Sequence, residues 1–181
     1  MIVKVKKKQN NSHDCIICGL DNPYSAKARF YSMEDETCVA LVTFDPNHQS
    51  YPSRTHGGMV TALLDEVIGR ALWVYDETLW GVTMKINVEF HAAAPYGEEL
   101  IAVGKMTKRS HLFFDGVAEL YDKSGKLLDR AYATYMILSL EKAAQDKEGH
   151  IHFEDVSVFE EDDIKEIDVP ELKALRKFQQ E

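Results

Sequence analysis

The stretch from His56 to Tyr75 constrains this chain more than any other. Val60, Leu63, Leu64, Val67, Ile68, Ala71, Leu72 and Tyr75 fall on the i, i+3, i+4, i+7 series with no polar interruption. That spacing predicts a long helix whose apolar stripe is buried against a sheet. Met59, Ala62, Trp73 and Val74 add apolar surface elsewhere on the cylinder, so cover on more than one side is expected.

Strand patterns surround this helix. Ala26 to Met33 and Thr37 to Phe44 precede it, and the second alternates poorly, as a strand buried on both faces would. Val82 to Phe90, Leu100 to Thr107, Leu112 to Tyr121 and Leu127 to Leu138 follow it. Turn signals separate them at Pro95-Tyr96-Gly97 and at Asp122-Lys123-Ser124-Gly125. Consecutive strands joined by short turns imply an antiparallel meander. One helix against such a sheet gives an α+β arrangement. Residues 1–25 read as an N-terminal loop segment, 26–140 as the folded domain, and 141–181 as an acidic, polar C-terminal extension. A terminal helix is expected there, capped by Asp168 with Pro170 in its first turn and with Leu172, Leu175 and Phe178 as its apolar stripe.

A chain of 181 residues with 45% hydrophobic side chains can bury one good core. Its net charge of −9 argues against nucleic-acid binding, which needs a basic face to neutralise phosphates. No apolar run approaches a membrane span and the lysine-rich first residues do not resemble a signal peptide, so a cytoplasmic protein with no membrane partner is expected. Three cysteines suit a reducing compartment rather than a disulfide framework. Cys15-Ile16-Ile17-Cys18 is the one close pair, and no second such pair exists to complete a structural zinc set. No metal and no cofactor are expected on that ground.

The entrance to the helix carries the chemistry. Thr55-His56-Gly57-Gly58 places two glycines where a helix N-terminus already leaves amide donors unpaired, a place suited to polarising a carbonyl. The same glycines also suit a tight entry turn. Asp65 lies about 110° from the centre of the buried stripe, at roughly 100° per residue, on a flank shared with Gly58, Thr61 and Gly69. These small residues leave room for a ligand. Glu66 points elsewhere and has Arg70 at i+4, a spacing that favours an ion pair. An aspartate on so apolar a helix needs a partner or a solvent-filled site, because an unpaired buried carboxylate costs several kcal/mol. A hydroxyl such as that of Thr83 would satisfy it equally well.

His56-Gly57-Gly58-Met59-Val60-Thr61-Ala62-Leu63-Leu64-Asp65-Glu66 resembles the HGG-x4-L-x-D segment of the PaaI-like branch of hotdog-fold thioesterases. Cys15-x-x-Cys18-Gly19-x-x-Asn22-Pro23, Asn87-Val88-Glu89-Phe90-x4-Pro95-x-Gly97-Glu98 and Gly125-Lys126-Leu127 resemble further stretches of that family. The resemblance spans about residues 15–140. It implies a hotdog fold, a curled antiparallel sheet wrapped around one long helix. It implies hydrolysis of an acyl-CoA thioester, with Asp65 as general base or nucleophile, the Gly57 N–H on the thioester oxygen and His56 beside the reacting carbonyl. Gly58, Thr61 and Thr83 would border the substrate, and Lys108 and Arg109, placed in a turn, would meet the phosphates. The family assembles its site across a homodimer interface, alone or in a dimer-of-dimers tetramer. An asparagine that holds the water in some relatives has no clear match among Asn47, His48, Gln49 and Ser50. A non-catalytic acyl-CoA-binding module is the alternative, and a hotdog dehydratase ranks lower because no histidine follows the acid on its helix.

Overall fold

A computed structural model describes residues 1–152 and 157–177. Its largest element is an eight-stranded antiparallel sheet. In chain order the strands are β1 (Ile2–Lys8), β2 (Arg29–Met33), β3 (Cys38–Thr43), the short hairpin β4 (Gln49–Tyr51) and β5 (Arg54–Thr55), then β6 (Leu79–Phe90), β7 (Glu99–Arg109), β8 (Phe113–Tyr121), β9 (Leu127–Ser139) and β10 (Glu166–Asp168). The sheet runs β10-β1-β2-β3-β7-β8-β9-β6, with β4 and β5 apart from it. Helix α1 (Gly57–Arg70) lies on one face against β3, β6, β7, β8 and β9. This is the α+β arrangement that the element order predicted, in the hotdog form that the resemblance implied.

The helix forms where its stripe demanded. Leu63, Leu64, Val67 and Ile68 are fully buried between α1 and the sheet, and each contributes about 1.5–3 kcal/mol by leaving water. Past Arg70 the chain tightens into a 3-10 segment, Ala71–Val74, which keeps Ala71 and Leu72 in the same core. Asp76 then ends the run by accepting from the Thr78 amide and hydroxyl. Two sheet glycines set how closely the helix can approach. A Cβ on Gly104 would fall 2.6 Å from a Val67 methyl, and one on Gly116 would fall 2.5 Å from an Ile68 methyl. Only residues without side chains leave room for α1 there.

A second core covers the opposite face. Val3, Tyr31, Val39, Val103, Val117 and Tyr121 pack there with Ile167, Val169, Leu172 and Ala174 from the C-terminal segment. This explains the weak alternation of β3, whose Cys38 and Ala40 face α1 while Val39 faces the tail.

Two expectations are corrected here. Residues 2–8, read within an N-terminal loop, form β1, which pairs with both β2 and β10. Its alternation rests on Val3 and Val5 alone, and the surrounding lysines mask it. Asp168, read as a helix cap, instead ends β10 and receives the N-terminal ammonium at 2.6 Å. The turn that follows is a 3-10 segment, Lys173–Lys177, that docks Leu172 and Leu175 on the sheet. Phe178 lies outside the described residues. The tail is pinned by Glu119, fully buried in β8, which accepts from Arg130, from the Tyr121 hydroxyl and from the Lys173 amide. Among the described residues no helix is long and apolar enough to cross a membrane.

Candidate active site

Asp65 sits in the third turn of α1, over the pairing of β6 with β9. Thr83 of β6 and Tyr135 of β9 are direct cross-strand partners, and both hydroxyls donate to the same carboxylate oxygen. Thr83 Oγ1 lies 2.9 Å and the Tyr135 hydroxyl 2.7 Å from Asp65 Oδ1. Tyr135 also reaches the Asp65 carbonyl oxygen at 2.7 Å, so one phenol grips both the side chain and the backbone of that turn. Asp65 Oδ2 makes no hydrogen bond to any described residue. Two features fix the donors. The β6–β9 register shifts between Thr83 and Lys85, a bulge of the kind that re-aims side chains beside sites. The Tyr135 ring stacks on Phe114 at 4.7 Å, in space that a Cβ on Gly81 would invade, 2.8 Å from Phe114. Burial, then the Asp65 charge, push the Tyr135 hydroxyl far above the ordinary phenol range, so it remains a donor.

In front of Asp65 lies a cavity of about 390 Å³. Thr83 and Tyr135 form its polar floor beside the acid. Trp73 and Trp80, with ring centroids 5.0 Å apart, and Ile16, Ile17, Ala62, Gly69 and Gly81 supply apolar wall. The two tryptophans therefore line a pocket, whereas Phe114 is core and Phe113 lies exposed at the start of β8. Cys15, Cys18, Glu66 and Arg70 close the far side. Glu66 and Arg70 form the expected i,i+4 ion pair at 2.8 Å, with the guanidinium buried against Phe30 and Trp73.

The helix entrance is a separate place on the same chain. His56 caps α1, its Nδ1 accepting from the Gly58 amide at 2.9 Å. That bond puts the proton of a neutral ring on Nε2. Gly58 is thereby spent on the cap, and Thr61 Oγ1 donates back to the Gly57 carbonyl at 2.8 Å. The Gly57 amide donates to no described residue and lies beside the exposed ring of Phe90. His48 braces this entrance from within. It is buried, bonds the Asp45 amide and the Tyr24 carbonyl through its ring, and accepts the His56 amide on its own carbonyl. Gln49 accepts from the Tyr96 hydroxyl, away from Asp65.

The chain thus brings Asp65 and Thr83 together with Tyr135, with Thr61 one turn away on the same helix, and leaves Gly58, Gly57 and His56 seven, eight and nine residues up the helix, about 10–14 Å from the acid at 1.5 Å per residue. Lys108 and Arg109 are not in a turn as expected. They end β7, exposed, opposite Asp115 and Phe114. Arg109 shares a cross-strand row with Phe114, Tyr135 and Thr83, but three strand spacings, about 14 Å, part it from Thr83. The sequence did not identify Tyr135 as a site residue. Its only signal was a large aromatic among small residues in β9, and strand pairing alone sets it under Asp65.

Comparison with known proteins agrees with this architecture. Residues 53–128, from the β4–β5 hairpin into β9, match the family model described as thioesterase superfamily. Mouse acyl-coenzyme A thioesterase 13 is 23% identical over 103 residues, which is 56% of this chain and 74% of that protein. A crystallised thioesterase-superfamily protein superposes with a TM-score of 0.63 at 22% identity, over 69% of this chain and 60% of that one, so this chain spans less than two thirds of its length. The zebrafish thioesterase superfamily member 2 gives a TM-score of 0.57 at 23% identity over 65% of this chain and 86% of that one. A Haemophilus influenzae thioesterase gives 0.59 at 16% identity over 68% and 86%. The family match includes the helix entrance and its acid, and the superposed structures share the curled sheet around one long helix, so the chain has the hotdog fold and is similar to the thioesterase superfamily.

Proposed function

We propose that this protein hydrolyses an acyl-CoA thioester at Asp65, with the acyl group in the cavity walled by Trp73 and Trp80. The observation that carries the reading is the asymmetric hold on the carboxylate. Thr83 and Tyr135 both take Oδ1, which fixes the group and leaves Oδ2 for a water or a substrate in the cavity. Oδ2 accepts a proton from the water as its oxygen bonds to the thioester carbon. The tetrahedral intermediate then breaks its C–S bond, and the departing CoA thiolate takes up the proton. A positioned base contributes typically 10²–10⁴-fold. Direct attack by Asp65 is the other route. It would expel the CoA thiolate to give a mixed anhydride of Asp65 and the acyl group; water attack at the Asp65 carbonyl of that anhydride would place ¹⁸O in Asp65 after a single turnover, whereas general-base hydrolysis places it only in the product acid.

The oxyanion needs a donor, and Gly57 on the same chain is too far. A carbonyl within about 3 Å of an amide cannot also lie against an acid about 12 Å up the same helix. A second copy resolves this. β6 is a sheet edge, long and with Val82, Met84 and Phe90 exposed, and such an edge invites pairing unless something covers it. Pairing two copies there covers Phe90 beside Gly57 and lets the Gly57 amide and His56 of one copy face Asp65 of the other. The outer sheet face is already covered by the chain's own tail, so a homodimer is the assembly we propose. Lys108 and Arg109 serve as outlying phosphate contacts.

The test is free-thiol release from a panel of aliphatic and aromatic acyl-CoAs, with Asp65→Asn in parallel and the mass measured by light scattering. The proposal expects a dimer with turnover that falls at least about 100-fold in the variant. Acyl-CoA binding without thiol release would support a binding module instead. An active monomer would refute the shared site.

A further inference from the structure

We propose that Cys15, Cys18 and Glu66 form a binding site for one zinc-class divalent metal ion, clasping the N-terminal segment to helix α1. The inference is independent of the thioesterase reading. The sequence supplies only the cysteine pair and no second pair to complete a set. Folding supplies the third ligand. Cys15 Sγ, Cys18 Sγ and a Glu66 oxygen all lie within 4.8 Å of one another, although Glu66 is 48 residues from Cys18 in sequence.

The turn that carries the cysteines is shaped for a metal-bound sulfur. The Ile17 and Cys18 amides point at Cys15 Sγ from 3.3 and 3.4 Å. Amides so aimed stabilise negative charge on a thiolate. The chain can close this turn only because residue 19 is glycine, since a Cβ there would lie 2.4 Å from the Cys15 carbonyl oxygen. Asn11 holds the turn from outside by donating to the Cys18 carbonyl at 2.7 Å.

The outer partners of the ligands are already in place. Arg70 bonds Glu66 Oε1, which leaves Oε2 facing Cys15 Sγ at 3.2 Å. Its Nη2 also lies 3.2 Å from Cys18 Sγ. Such second-layer bonds fix ligand orientation in metal sites. With Zn–S of about 2.3 Å and Zn–O of about 2.1 Å, tetrahedral angles place sulfur and oxygen about 3.6 Å apart. The pair at 3.2 Å therefore needs to open by only a few tenths of an ångström. Charge also balances. Two thiolates and one carboxylate are offset by the divalent ion and the buried Arg70 guanidinium, so binding with release of two thiol protons leaves the cluster neutral. Soft sulfur donors favour zinc over magnesium or calcium. The three residues line the Asp65 cavity, from which water completes the fourth position.

The experiment uses the full chain, reduced and stripped with chelator, then titrated with cobalt(II) and next with zinc. We expect one cobalt per chain, with thiolate-to-metal charge-transfer absorption and ligand-field bands of tetrahedral intensity, displaced by zinc. Cys15→Ser and Cys18→Ser should each abolish the tetrahedral spectrum, and Glu66→Gln should weaken affinity at least about 10-fold. Because Glu66→Gln also disturbs Arg70, a second measurement uses the unaltered protein: zinc should slow alkylation of Cys15 by iodoacetamide at least about 10-fold. Absence of stoichiometric cobalt, a spectrum unchanged by the cysteine substitutions, or an alkylation rate indifferent to zinc would overturn the assignment.

Discussion

Asp129 lies in β9 between Leu120 of β8 and Phe90 of β6. It is 1% exposed, and neither carboxylate oxygen has a partner among the described residues. Burial raises its pKa from the ordinary 3.8 to about 7. A carboxyl that is harder to ionise in the folded state than in the unfolded one stabilises the fold only while both states are protonated. As pH rises above 3.8 the unfolded chain ionises first, so stability falls until the folded group also ionises near pH 7, and then levels off. The slope is about 1.36 kcal/mol per pH unit, so the loss over that window is about 4 kcal/mol. Asp129→Asn keeps the shape and removes the ionisation, although its amide is also buried without a partner. The pH dependence is therefore the cleaner readout than the absolute stability. Urea unfolding of the protein and the variant from pH 4 to pH 8 should show the difference between them growing through the window in favour of asparagine, and flat above it. A difference independent of pH would mean that the folded state does not discriminate between the two forms of Asp129, and that its burial does not raise its pKa.

Three further outcomes follow from the site and the core. Gly57→Pro removes the amide hydrogen, and proline suits the first helical position after a His56 with the extended ψ of 133° that a following proline requires; the added Cβ meets only the exposed Phe90 ring at 3.3 Å, which can shift, and thiol release should fall about 10²–10³-fold with the helix content retained by circular dichroism. Tyr135→Phe keeps the stack on Phe114 and loses a bond to a charged group worth about 1.5–3 kcal/mol; kcat should drop about 10- to 100-fold, and an unchanged kcat would remove Tyr135 from the site. Gly104→Ala sets a methyl 2.6 Å from Val67 Cγ1 and 3.1 Å from its carbonyl oxygen; overpacking of about 1–3 kcal/mol should lower the melting temperature by several degrees, with only partial rescue by Val67→Ala because the backbone contact remains.

Elements whose signal is local were legible in the chain before folding. The stripe from Val60 to Leu72 produced α1 because seven apolar residues at helical spacing leave water together on one face of a helix. The turn at Asp122–Gly125 formed because Gly125 takes a φ of 78° and Asp122 caps the amides of Ser124 and Lys126. Glu66 and Arg70 paired because four residues place them on one face of a helix. Contacts that depend on distant segments meeting came only with the fold. It set Tyr135 under Asp65, Glu66 against Cys15 and Cys18, and Asp129 in a dry position. It also made a strand of Ile2–Lys8, whose two valines are too weak a pattern until β2 and β10 offer them hydrogen-bonded neighbours. Strand pairing fixes which side chains share a face across tens of residues, and no periodicity within one segment carries that information.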